Sequence, residues 1–368
     1  MDIAFAIFSL GKMGGQERHC VQLAETLAGR GHSVAIYTTA PGTISGDIPL
    51  RLIRPRGRAN HSRMAAFAED VRLATADRCD LIVACQKLPG ADILFCADWS
   101  LAARKLPPWK RLLPRYRTFI QMERACCGPS SDMFLIMFGD AQARAYRDVW
   151  SIAPERMMIL PPTLHPAMVH EAPGAEERAG WRQSLGIEAD QTTWLWVGLQ
   201  PKVKGLDRAI EALALSRNSV LLAAGADPGS RAVRALVRKA ERLDCAGRLR
   251  LTGLLSSDEL ARLYLTADLL VHPSRLDVTG TVIVEALGAG LPVIATENCG
   301  YSNHIRAAAA GVVLPEAVTP AETAGACSVS ADTLRLWADN ARRYVRTNDL
   351  TGGIAAAADA IEARAPGT

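Results

Sequence analysis

Most of the features that would assign this chain to a class at a glance are missing from it. No apolar run approaches the ~18–20 residues that a membrane span needs, so no spanning helix is expected. The opening residues, MDIAFAIFSLG, carry an acid at position 2 and no basic stretch. They therefore read as a first strand and not as a secretory leader. The nine cysteines form no Cys-x-x-Cys pair and no cluster of metal-ligand spacing; Cys126 and Cys127 are merely adjacent. Scattered, odd in number and unpaired, they predict reduced core thiols and a cytoplasmic location. There is no Asp-x-Asp sequence, no internal repeat and no low-complexity tract. Nor is there a G-x-G-x-x-G after the first strand, or an acid at the end of the second to hold a ribose, so a dinucleotide site is not expected there.

What is present is a soluble globular composition, 49% apolar and 22% charged, in 368 residues. That length suits two domains of roughly 150–200 residues each. Apolar runs of strand length alternate with amphipathic stretches throughout, which predicts an α/β fold of two doubly wound, Rossmann-like parallel sheets. The first series begins with a strand at Met1–Phe8, a glycine-bearing loop and a helix from about Gln16 to Arg30. The second begins with a strand at Thr193–Val197. Pro161-Pro162 and the residues up to about Trp181 read as an interdomain connection. The expected division is 1–162, 163–348, and a terminal helix in 349–368 able to pack back on the first domain. A ligand is expected in the cleft between two such domains.

The stretch from Ala267 to Tyr301 carries the strongest chemical signal. It reads as a buried strand (Asp268–His272), a polar loop, a helix opening near Gly280 and stopped by Gly288 and Gly290, and a second strand (Leu291–Thr296). Asp277 lies in the loop and Glu285 inside the helix. A helix N-terminus beside a strand end offers free N–H groups and a positive dipole end to a phosphate, and a carboxylate a turn further in can accept sugar hydroxyls. The pattern suggests a nucleotide-sugar site, with an ordinary βαβ turn and acidic helix as the plainer alternative.

Charge is uneven although the net value is only +4. Residues 1–162 hold 21 Lys+Arg against 15 Asp+Glu, and residues 99–124 alone hold seven basic side chains and one acid. Arg104, Lys105, Trp109, Lys110, Arg111, Arg115 and Arg117 mix cations with rings, the composition of a surface that rests on an anionic leaflet, or of a solvated helix face with cleft residues for a ligand's phosphates. No nucleic acid is expected, because the rest of the chain is not basic.

The motifs GGQER, QKLPGADILFCAD, ILPP, KGLDRAIEAL, TADLLVHPS, VEALGAGLPV and CGY, in that order, resemble those of the GT-B glycosyltransferases of family 4, in particular members acting on lipopolysaccharide core. The resemblance covers essentially the whole chain. It implies retaining transfer of a hexose from a nucleotide sugar, UDP-glucose above all, to an inner-core heptose at the inner face of the cytoplasmic membrane. In residue terms it implies that Glu285 holds the ribose hydroxyls and that Asp277, standing where the family has a Glu, contacts the transferred sugar. Gly280, Thr281 and Val282 would offer backbone N–H groups, Lys204 would bind the diphosphate, and Gly14 and Gly15 would face it from the first domain. Asp98 matches the acid near the reacting sugar and acceptor. The usual arginine beside the lysine is replaced by Leu199 or Val203, leaving Lys202 as a substitute or a plain loop lysine. His19 stands where relatives carry an acid, as a ligand contact or a partly buried helix histidine. No enzyme nucleophile and no metal or other cofactor is implied. A nucleotide-sugar epimerase of similar architecture, or a catalytically silent binding relative, remains open.

Overall fold

The computed structural model describes residues 1–11, 14–42, 44, 47–104 and 106–365. The chain divides into two compact units, Met1–Thr163 with Gly352–Thr368, and Leu164–Thr351.

The first unit runs β1 (Asp2–Ala6), α1 (Gly15–Gly29), β2 (Ser33–Thr38), β3 (Leu50–Leu52), α2 (Asn60–Thr75), β4 (Leu81–Ala84), β5 (Ile93–Cys96), α3 (Pro108–Arg111), α4 (Pro114–Cys127), β6 (Phe134–Met137), α5 (Asp140–Trp150) and β7 (Met157–Ile159). Its parallel sheet has the order β3-β2-β1-β4-β5-β6-β7. The central strands β4, β5 and β6 are short continuous apolar runs, as strands covered on both faces must be. The order reverses between β1 and β4, so the loops leaving these two strands flank the crevice where doubly wound sheets take their ligands.

The second unit contains α6 (Ala175–Ser184), β8 (Thr192–Val197), α7 (Leu206–Leu215), β9 (Ser219–Ala224), α8 (Arg231–Arg242), β10 (Leu249–Gly253), α9 (Ser257–Thr266), β11 (Leu269–His272), α10 (Thr281–Gly288), β12 (Val293–Thr296), α11 (Ser302–Ala308), β13 (Gly311–Leu314), α12 (Pro320–Cys327) and α13 (Ala331–Thr347). The last helix, α14 (Gly353–Glu362), belongs with the first unit, where Arg30, just past the end of α1, bonds both Asp359 and Glu362 at 2.7 Å. The second sheet has the order β10-β9-β8-β11-β12-β13 and reverses between β8 and β11. Alternate residues of β8 serve opposite cores: Trp194 and Trp196 pack on one face, Leu195 on the other, and all three are fully buried. The serine and glutamate of Ser256-x-x-Glu259 cap α9 reciprocally, and Thr319 and Glu322 do the same for α12.

The stretch expected to be a connection up to Trp181 instead holds α6, inside the second unit. Glycines and a proline around it masked a helix whose Glu176 and Glu177 suit its first turn. Its Arg178 and Arg182 grip Asp268, ahead of β11, at 2.6 and 3.0 Å. Among the described residues no helix is long and apolar enough to cross a membrane.

Candidate functional site

In the second unit the loops after β8 and β11, the strands on either side of the reversal, are stapled together. The Arg275 N–H donates to Val203 O (2.8 Å), and its guanidinium forks onto Asp207 (2.7 and 2.8 Å) while reaching Lys202 O (2.6 Å). Ser274 Oγ donates to Val203 O at 3.1 Å, and Trp196 Nε1 to Lys204 O at 2.9 Å. Gly205 permits the contact: its φ is +77°, and a Cβ there would lie 2.1 Å from Pro273 O. On the far side Gly300 donates to Asp277 O at 3.0 Å, and any side chain at 300 would strike Val278 O.

This scaffold delivers three side chains to one point. Asp277 Oδ1 accepts from Lys204 Nζ at 2.8 Å and from the Gly280 N–H at 2.9 Å, while Oδ2 accepts from His272 Nε2 at 2.9 Å. Asp277 is 7% exposed. Burial pushes its carboxyl up, but the His272 hydrogen bond and the Lys204 ammonium outweigh that and hold it well below the usual carboxylate range. Nε2 of His272 must carry the proton, since a carboxylate only accepts. Its Nδ1 is buried without a hydrogen-bond partner among the described residues. Three of roughly four acceptor positions of Asp277 are thus taken internally. His272, Asp277 and Cys299 bring potential metal-ligand atoms within 4.8 Å of one another. Yet the oxygens of Asp277 are engaged, and burial, with Asp277 beside it, pushes the Cys299 thiol up to about 12. His272 and Asp277 are bonded to each other, while Cys299 Sγ lies 3.8 Å from Thr296 Oγ1.

Gly280 precedes α10, and Thr281 and Val282 are its first residues, whose N–H groups have no acceptor within the helix. Glu285 lies on the same helix, 6% exposed, and accepts a 2.7 Å hydrogen bond from Tyr264 of α9. Lys202 is exposed and its ammonium forms no ion pair among the described residues. The sequence reading missed His272, Arg275 and Tyr264. His272 and Arg275 stand five and two residues before Asp277, in the run His272-Pro273-Ser274-Arg275-Leu276-Asp277, which was the available signal.

In the first unit, the Gly14 N–H donates to Glu17 Oε2 at 3.0 Å, so it is engaged in capping, and Gly15 opens α1. His19 faces the core at 6% exposure. It stacks on Phe138 (5.4 Å between centroids) and shares a 2.8 Å hydrogen bond with Thr163. Burial, helped by Arg18, drives its pKa down to about 4, so it is neutral at pH 7. The buried-histidine alternative is the one these contacts support. Asp98 follows β5 with its side chain 52% exposed, paired with Lys87 Nζ at 3.6 Å.

The basic segment forms α3, a turn and α4. Arg104, Arg111, Arg115 and Arg117 are exposed, Lys110 sits over the Trp109 ring at 5.5 Å, and none of these five cations forms an ion pair among the described residues. Lys105 lies outside the described residues. Trp109, Leu112 and Leu113 add exposed apolar surface at this tip, Leu112 at 75%. The two leucines escaped a reading that looked only for charge and rings.

Two family models match the chain: glycosyltransferase family 4 over residues 13–120 and glycosyl transferases group 1 over residues 177–327. Lipopolysaccharide glucosyltransferase WaaG of Escherichia coli (strain K12) is 33% identical, with 98% of each chain covered. A crystal structure of WaaG, a glycosyltransferase involved in lipopolysaccharide biosynthesis, superposes with a TM-score of 0.90 at 32% identity and covers 100% of both chains. Anabaena HepE, solved with UDP and glucose, shares the fold, with a TM-score of 0.78 at 19% identity over 99% of this chain and 100% of that one.

Proposed function

Because the chain belongs to the GT-B glycosyltransferases of family 4, we propose that it moves glucose from UDP-glucose, with retention, onto a heptose of the inner lipopolysaccharide core. The observation that carries this reading is the match to a lipopolysaccharide glucosyltransferase along 98% of both chains. An epimerase is not favoured, since that end-to-end relative is a transferase.

In this reading Lys204 lies against the diphosphate and stabilises the negative charge that builds on the departing nucleotide. The N-terminal N–H groups of α10, at Thr281 and Val282, add to that field, with Gly280 letting the chain turn into the helix. Lys202, exposed on the same loop, is a second cation for the phosphates. Glu285 receives the ribose hydroxyls. Asp277 works first through Lys204, fixing the ammonium at 2.8 Å, so it is a positioning residue before it is a sugar contact. Gly14 and Gly15 serve the donor and Asp98 the acceptor hydroxyl. That hydroxyl attacks on the face the phosphate leaves, forming the new glycosidic bond as the sugar–phosphate bond breaks, and its proton passes to the leaving phosphate oxygen. Such a route relies on positioning and charge and needs neither an enzyme nucleophile nor a metal.

Trp109, Leu112, Leu113 and the unpaired cations of α3 and α4 form a tip suited to the anionic cytoplasmic leaflet, where the acceptor's lipid is held. Each basic residue near such a surface contributes about 1 kcal/mol.

The test is a panel of nucleotide sugars offered with a lipopolysaccharide acceptor truncated at the inner core. UDP-glucose should be used best, and Glu285→Ala should abolish donor use. Near-normal rates in that variant would remove the donor-site assignment, while UDP binding without sugar release or transfer would favour a silent relative.

A further inference from the structure

Behind Asp98 lies a buried ion network that the reading above does not use. Glu123, on α4, is the one acid of the basic segment and is fully buried. Its carboxylate accepts from Ser100 Oγ (2.5 Å), the Leu101 N–H (2.8 Å), the Ala102 N–H (3.3 Å) and Trp150 Nε1 (3.0 Å). Lys87 Nζ stands 3.5 Å from the same carboxylate. A buried anion is costly unless paired and hydrogen-bonded, and this one collects five donors. Three of them form the turn that begins two residues after Asp98.

Lys87 leaves β4, one of the strands at the reversal of the first sheet, and its side chain is only 14% exposed. Its ammonium donates to Trp99 O at 3.1 Å, lies over the Tyr146 ring at 5.6 Å, and sits between Glu123 and the Asp98 carboxylate at 3.6 Å. Burial works against its charge, but Asp98, with Glu123 among the further contributors, more than restores it, leaving its pKa raised. The main chain of Asp98 is held from below, because its carbonyl accepts from Gln142 Nε2 at 2.8 Å and Tyr146 Oη at 3.3 Å. Only the carboxylate is left to be steered, and Lys87 is the cation beside it.

We propose that Lys87 is a positioning residue for the Asp98 carboxylate, held in place by Glu123, so that a buried Lys87–Glu123 pair links the basic helix α4 to the half-exposed acceptor-side acid. This rests on the reading of Asp98 as the acceptor-side acid.

The experiment measures steady-state glucose transfer from UDP-glucose to the truncated lipopolysaccharide acceptor, with thermal melting alongside. It uses the full chain as wild type, Lys87→Met, Lys87→Arg, Asp98→Asn and the double variant Lys87→Met/Asp98→Asn. A misplacement of about 1 Å can cost about 100-fold in rate. Lys87→Met is therefore expected to lower kcat roughly 10- to 100-fold with the KM for UDP-glucose unmoved, and Lys87→Arg to recover most of it. Adding Asp98→Asn should cost nothing further, as groups acting as one unit are non-additive. If Lys87→Met does not fold, Lys87→Gln, which can still donate to Trp99 O but carries no charge, gives the same readout. A Lys87→Met kcat within about twofold of wild type beside a crippled Asp98→Asn overturns the proposal, as do losses that multiply in the double variant. A neutral Asp98→Asn removes instead the acceptor-side reading beneath it, and the proposal falls with that reading.

Discussion

Replacing Lys204 by methionine leaves the Asp277 carboxylate buried with two of its three partners, His272 and the Gly280 N–H. Breaking a fully buried pair by removing one member costs about 3–5 kcal/mol. The Lys204 side chain is 24% exposed and His272 remains in place, so solvent screening and the surviving hydrogen bonds reduce this to about 2 kcal/mol. The chemical loss is larger: a fixed charge facing a developing anion is worth about 100- to 1,000-fold in kcat. Asp277→Asn keeps the ammonium but frees it from its 2.8 Å anchor. If Asp277 acts through Lys204, the double variant Lys204→Met/Asp277→Asn turns over no more slowly than Lys204→Met alone. It should also melt higher, since the uncompensated buried charge has gone. Urea unfolding and kcat on the four proteins of this cycle give both couplings, each expected at about 1–3 kcal/mol. Rate losses that multiply across the cycle would refute the argument, because they mean that Asp277 touches the sugar independently of Lys204.

Three further outcomes follow from single features. Because folding depresses the His19 pKa from 6.5 to about 4, the folded state binds fewer protons than the unfolded one between those values. The stability from neutral His19 is complete above about pH 6.5 and is lost as pH falls toward 4, by about 2 kcal/mol between pH 7 and 5; His19→Phe should flatten that part of the urea-midpoint profile, and an unchanged slope counts against a buried neutral histidine. Gly205→Ala combines a left-handed backbone with a Cβ 2.1 Å from Pro273 O, so a loss above about 2 kcal/mol in thermal or urea unfolding is expected, together with a raised KM for the donor; an unaltered melting temperature would show that the two loops are not held as described. Leu112→Asp removes an apolar side chain worth about 1.5–3 kcal/mol when buried, so retention on vesicles rich in anionic lipid should drop at least tenfold at low salt, whereas equal retention would place the contact surface elsewhere.

The sheets and the loop and helix around Asp277 were legible in the sequence because their cues are local. Short apolar runs mark β8, β11 and β12, and Gly280 and Gly290 bracket α10 within one window. What escaped was pairing across distance. Asp277 was visible as an acid at a telling position, but its partner Lys204 lies 73 residues earlier, and the Lys204 Nζ reaches it across the sheet reversal. Glu123 could be counted as the lone acid among seven cations, yet nothing local says that it points inward to Ser100, Trp150 and Lys87. His19 left two readings open because a helical histidine gives the same pattern facing solvent or core, and only Phe138 and Thr163 decide between them. Helix α6 was lost for the opposite reason, since its local composition imitates a linker while Asp268, some 90 residues on, fixes it.

A shared construction in the two units separates the roles of their acids. In each, a lysine from the loop after one strand meets an acid from the loop after the neighbouring strand: Lys204 with Asp277 across β8 and β11, Lys87 with Asp98 across β4 and β5. Loops at the carboxyl ends of parallel strands lead into helix N-termini, whose positive ends favour an acid nearby. The pairs differ in closeness and exposure. Lys204 and Asp277 are in direct contact at 2.8 Å, with the acid buried and its oxygens also held by His272 and Gly280. Lys87 and Asp98 stand 3.6 Å apart with half of the acid side chain in solvent. With half of the Asp98 side chain in solvent, its carboxylate is open to a hydroxyl while Lys87 steers it from 3.6 Å, whereas displacing the direct-contact Lys204–Asp277 pair costs about 2 kcal/mol. In the proposed mechanism Asp98 is therefore the acid that turns to an incoming hydroxyl, while Asp277 holds the lysine that faces the departing nucleotide.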